Sequence, residues 1–220
     1  MNESWLSTCY QIVGELLLNP QDRDRQSIDS LQSQLGAMPA ETRQPIDEFL
    51  SHPDAFSEDE YVPTLELSPP CPLYLGAYLF DEPTTCRDVG TSGRNAYMLE
   101  LMGIYRHFGF DISGGELADY LPLVVDFLWI SLVHQKRDRI GLRRRFLEHY
   151  VRPGLEPLSK KLAKYESPYA LLVAALRTAV AQDLRQMEDV PAWSPPATPP
   201  VTGRITCQQE AIPTGQEVQQ

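Results

Sequence analysis

Glu116-Leu-Ala-Asp-Tyr-Leu-Pro-Leu-Val-Val-Asp-Phe-Leu-Trp-Ile-Ser-Leu-Val133 is the stretch whose reading decides the fold class. Leu117, Leu121, Val124, Val125, Leu128 and Leu132 recur at spacings of three and four, the signature of a helix buried along one stripe. Asp119 stands where an N-cap would accept first-turn amides, and Pro122 falls in the turn that tolerates proline. The uninterrupted apolar part, Leu121 to Val133, is too short to cross a bilayer and carries Asp126 in its middle. It reads as the centre of a helical bundle.

The same period recurs on both sides. Upstream, Tyr97, Leu101, Ile104 and Phe108 form one stripe that Gly109 stops, and Trp5, Cys9, Ile12, Val13 and Leu16 form another that Asn19-Pro20 ends. Weaker helical patterns run through Ile28, Leu31 and Leu35, from about Pro45 to Leu50, and around Leu73 to Phe80. Downstream, helices are expected over residues 141–151, over 155–165, and from Ser167-Pro168 through Leu172, Leu176, Val180 and Leu184 to Met187. An all-α, single-domain helical bundle over residues 1–189 follows.

Two regions break the pattern. Residues 51–72 hold five prolines, which predicts an extended, turn-rich connection laid across the helices. The loop from Asp81 to Gly93 is a second break. From Val190 to Gln220 the chain is rich in Pro and Gln and poor in apolar anchors, so a disordered tail is expected there, with Trp193 as the one aromatic able to dock back.

A chain of 220 residues buries roughly 70% of its unfolded surface, enough for a core without disulfides or metal. The formal net charge of -11 repels phosphate backbones and anionic lipid, which argues against nucleic-acid and membrane partners. It favours a basic polypeptide, or simply keeps the protein in solution. Cys9, Cys71, Cys86 and Cys207 are scattered without CxxC spacing, so free thiols in a reducing compartment are expected. The N-terminus lacks the basic region and cleavage site of a signal peptide, which points to a cytoplasmic location.

Catalytic and cofactor signals are missing. Gly90-Thr-Ser-Gly93 is too short for a phosphate loop and has no lysine. His52, His107, His134 and His149 show no metal-ligand spacing, and Arg143-Arg144-Arg145 reads as a solvated helix face. The carboxylates Glu116, Asp119 and Asp126 cluster around the central helix. They are read either as capping and surface charge or as a site for a cationic peptide; an acid/base pair would need a pocket and a polarising partner.

Three stretches together resemble a known family. Tyr61-Val-Pro-Thr-Leu-Glu-Leu-Ser68 with Pro72-Leu-Tyr-Leu75, then Glu116-Leu-Ala-Asp-Tyr-Leu-Pro-Leu-Val-Val-Asp-Phe-Leu128, then Ser167-Pro-Tyr-Ala-Leu-Leu172 are similar, in order and spacing, to signature elements of nitrate reductase delta subunits. The second element recurs across the NarJ/TorD/DmsD chaperones. The resemblance covers residues 4–187. It implies an all-helical chaperone, not an enzyme and with no cofactor or metal of its own. Its partner would be the apo catalytic subunit of a molybdenum oxidoreductase with a bis-molybdopterin guanine dinucleotide cofactor, bound through its N-terminal segment before cofactor insertion and export or membrane attachment.

Carried over by position, Tyr61, Thr64, Glu66, Leu73 and Tyr74 would line one part of the client-peptide surface, and Glu116, Asp119, Tyr120 and Leu121 the other, with Asp126 alongside. Tyr120 replaces the family's usual His, and Leu65-Glu66 its Phe-Asp, which implies a client other than the common respiratory nitrate reductase. The competing reading is a generic helical interaction module unrelated to molybdenum. A monomer, or at most a weak dimer, is expected.

Overall fold

A computed structural model of the chain describes residues 3–81, 92–112, 115–133, 139–191 and 193–194. Most of the loop from 81 to 93, the tail beyond 194, Cys86, Cys207 and His134 lie outside the described residues. The architecture is all-α. The helices are α1 (Glu3–Leu16), α2 (Arg25–Gln32), α3 (Ala40–Ser51), α4 (Glu58–Tyr61), α5 (Gly93–His107), α6 (Leu121–Val133), α7 (Ile140–Phe146), α8 (Arg152–Lys164) and α9 (Tyr169–Gln186). Among the described residues, strand-like pairing is limited to one antiparallel bridge between Tyr74 and Tyr120.

The centre of the bundle is α1 as much as α6. Leu6, Cys9, Tyr10, Ile12, Val13, Leu16 and Leu17 are all inaccessible to solvent, so α1 is enclosed on nearly every side rather than along one stripe. It packs on α6 and α9, and α9 in turn packs on α3 and α8. Each such side chain contributes about 1.5–3 kcal/mol by leaving water, so this three-helix contact is a substantial source of stability.

A polar network ties the same elements together. Arg143, from the supposed solvated triplet, is fully buried. It donates to the Leu128 carbonyl at 2.7 Å and to Ser131 and Asp183, while the Tyr10 hydroxyl donates to Asp183 at 2.7 Å. A guanidinium can be buried when a carboxylate and carbonyls meet its donors at once. Its neighbours also have work inside the fold: Arg144 donates to the Met187, Glu188 and Val190 carbonyls beyond α9, and Arg145 pairs with Glu100.

The proline-rich connection departs from the extended reading. Ser57 caps α4 by accepting from the Asp59 amide at 3.1 Å, and the chain continues as a π-helical turn over Val62–Glu66. Pro63 falls at the start of that turn, where a missing N–H costs little. Ser68, at φ 49°, then reverses the backbone. Likewise α3 begins at Ala40, well before Pro45, which sits inside the helix as the sixth of its 12 residues.

Candidate functional site

Gly109, at φ 89°, ends α5, and the chain returns through Glu116 to α6. On the way, residues 119–121 pair with residues 73–75: the Leu75 amide donates to the Asp119 carbonyl at 3.0 Å, and the Leu121 amide to the Leu73 carbonyl at 2.7 Å. Two segments more than 40 positions apart are thereby fixed side by side, with the rings of Tyr74 and Tyr120 5.4 Å apart.

Between them and the π-helical turn lies an open groove of about 530 Å³, lined by Tyr61, Leu65, Glu66, Pro69, Pro72, Leu73, Tyr74, Ala77, Arg94, Glu116 and Tyr120. Six of the ten expected site residues line it: Tyr61, Glu66, Leu73, Tyr74, Glu116 and Tyr120. The floor is apolar and aromatic. Tyr61 is fully buried there, its hydroxyl donating to the Leu17 carbonyl at 3.0 Å. At the rim, Glu66 accepts from the Asn19 side-chain amide at 3.2 Å, and exposed Glu116 lies 3.5 Å from the Tyr74 hydroxyl.

The other four are placed elsewhere. Thr64 donates to Glu60 on its own helical turn at 3.2 Å. Leu121 is fully buried in the core. Asp119 has no solvent exposure: its Oδ2 accepts from the Gly76 amide at 2.9 Å and from Arg94 at 3.1 Å, and its Oδ1 has no hydrogen-bond partner. It is therefore neither the N-cap of α6 nor an accessible carboxylate. Its charge is already answered by an amide dipole and a guanidinium, which is why it can lie inside the protein. Only glycine fits at position 76, since a Cβ there would stand 2.6 Å from Asp119 Oδ2.

Asp126 sits on α6 beside α1, with its Oδ1 3.1 Å from where a Gly14 Cβ would be. It lines a different cleft of about 300 Å³ with Tyr105, Phe110, Ile112 and Phe127. Desolvation against α1, with the Glu15 carboxylate nearby, pushes its carboxyl up to about 6.

Arg94 is the groove residue that sequence reasoning missed most completely. It lies near the start of α5, far from either quoted element, and nothing in its neighbourhood marks it. Leu65 and Pro72 were within reach, because they belong to the quoted stretches.

The groove's hydroxyls are weak acids in their setting. Burial raises the Tyr61, Tyr74 and Tyr120 phenols above their usual range, and neighbouring Glu116 adds to the effect at Tyr74. Arg94 is already paired with Asp119, so the two rim carboxylates leave the groove net negative. Such a surface suits an apolar side chain on its floor and a cation at its rim. Among the described residues, no group of three or more His, Cys, Asp or Glu could hold a metal ion, and no helix is long and apolar enough to cross a membrane. No protein-family model and no curated protein matches the sequence.

Proposed function

We propose that the chain is a chaperone of the nitrate reductase delta-subunit type. In this reading the groove receives the N-terminal segment of the apo catalytic subunit of a molybdenum oxidoreductase, in the cytoplasm, before cofactor insertion and export or membrane attachment. The supporting observation is the convergence of two stretches, 61–75 and 116–121, which carry the resemblance independently in sequence and face each other across one groove. A ligand with alternating apolar and basic side chains matches it: apolar groups against the half-buried Pro72, Tyr74 and Tyr120, and a Lys or Arg at the rim beside Glu66 and Glu116. The protein then contributes binding and shelter, with no bond-making step.

The test is calorimetric titration with the N-terminal peptide of the molybdenum subunit encoded nearest the gene, against a scrambled peptide of equal composition. Saturable binding of the true peptide alone is the expected result. Equal binding of both peptides would favour a generic interaction module. Binding of neither, together with failure to co-purify with the whole subunit, would remove the chaperone reading.

A further inference from the structure

The charge of this acidic protein is unevenly spread along its chain. Residues 1–133 hold 21 acidic and 6 basic side chains, a net of -15, whereas residues 134–189 hold 12 basic and 7 acidic, a net of +5. The acidic part supplies every lining residue of the peptide groove. Part of the basic excess gathers in a second, open cleft of about 560 Å³ against α3, α8 and α9.

Three guanidiniums border that cleft, Arg152 at the start of α8 and Arg177 and Arg185 on α9, together with two carboxylates, Glu41 on α3 and Glu156 on α8, so the cleft keeps a small positive excess. Arg177 pairs with Glu156, which also holds Lys160 at 3.1 Å. Arg152 and Arg185 are exposed, and their guanidiniums make no ion pair or hydrogen bond among the described residues. Between the arginines the wall is formed by small side chains, Ala174, Thr178 and Ala181, so a second backbone can come close.

We infer that this cleft is a docking surface for an acidic polypeptide segment of a partner protein. Arg177 and Arg185 are eight residues apart on one helix, about 12 Å along its axis. A single phosphate or carboxylate cannot bridge that distance, whereas carboxylates spaced along a polypeptide can. No aromatic ring lines the cleft to stack on a nucleotide base. The net -15 of residues 1–133 opposes nucleic acid and anionic lipid, whose charge extends over a much larger surface than one cleft. Arginine forks meet carboxylates with two parallel hydrogen bonds, which adds direction to the attraction. The surface is independent of the peptide groove, so one partner could engage both.

The probe is a fluorescently labelled sixteen-residue poly-glutamate peptide, followed by anisotropy against the full chain at low and at 0.3 M salt. Binding is expected at low salt and should weaken at least tenfold with added salt. The double variant Arg152→Gln/Arg185→Gln should weaken it at least tenfold at low salt while leaving the urea midpoint unchanged, because neither side chain has a partner to lose. Glu116→Gln, in the groove, should leave it unchanged. Equal binding by the wild type and the double variant, or no binding by either, would reduce the cleft to solvated arginines. Displacement of the peptide by inorganic pyrophosphate at lower concentration than by unlabelled peptide would assign a small-anion site and overturn the proposal.

Discussion

Replacing Asp119 by alanine separates a scaffold role from a contact role. The side chain is wholly buried and holds the Gly76 amide at 2.9 Å and Arg94 at 3.1 Å. Without it, the Gly76 N–H loses its acceptor, a loss of about 1–3 kcal/mol. Arg94 loses its partner but remains one-third exposed and can turn to water, so its share is about 0.5 kcal/mol. Removing a carboxylate whose Oδ1 has no hydrogen-bond partner returns part of this, and a net loss of about 2 kcal/mol is expected. In urea, with a slope of about 2 kcal/mol/M, the unfolding midpoint should fall by about 1 M. Asp119→Asn keeps an oxygen for the Gly76 amide and should lose about half as much. Client peptide titrated onto folded Asp119→Ala at low temperature should still bind, though more weakly, because Asp119 does not face the groove but its loss leaves the groove residue Arg94 without its carboxylate. An unchanged midpoint combined with lost binding would refute this, and would make Asp119 a peptide contact.

Tyr74→Ala and Glu116→Gln should each weaken client-peptide binding at least fivefold in calorimetry while shifting stability by less than about 1 kcal/mol; the Glu116→Gln effect should vanish at high salt, as expected for a rim charge. Asp126 has a carboxyl raised from 3.8 to about 6 in the folded protein, so its ionisation opposes folding above pH 6, and that penalty disappears as pH falls from 6 towards 4. Asp126→Asn should therefore stabilise the protein at pH 7 by about 1 kcal/mol, a value reduced for solvent screening of an exposed group, and the advantage should close by pH 4 in chemical denaturation. Asp183→Ala strands the buried Arg143 guanidinium and should cost about 3–5 kcal/mol in the same assay; a loss below 1 kcal/mol would mean that water reaches Arg143.

The helices with strong periodicity were legible because burial follows the 3.6-residue period directly: the Tyr97–Phe108 stripe, the α6 stripe from Leu121 onward and the long α9 lie where the pattern puts them, whereas Leu117, expected in the α6 stripe, precedes the helix and is exposed. The π-helical turn at Val62–Glu66 was not legible, since proline excludes helix only beyond a first turn and the sequence does not say where that turn begins. About half of the groove could be read in outline, from Tyr61, Glu66, Leu73, Tyr74, Glu116 and Tyr120. Asp119 and Arg143 misled for a shared reason. A charged side chain reads as exposed unless its partner is known, and their partners, Arg94 and Asp183, lie 25 and 40 positions away.

The position of α1 also bears on when the protein can form. Tyr10 reaches Asp183 across 173 positions of sequence, and the first helix is enclosed by one of the last. At about 5–20 residues per second of synthesis, the N-terminal helix waits about 10–35 s before its final neighbour exists. During that interval the apolar surface of α1 has no native cover from α9. The chain thus completes its core only once α9 has been made, and is itself exposed to aggregation while it waits.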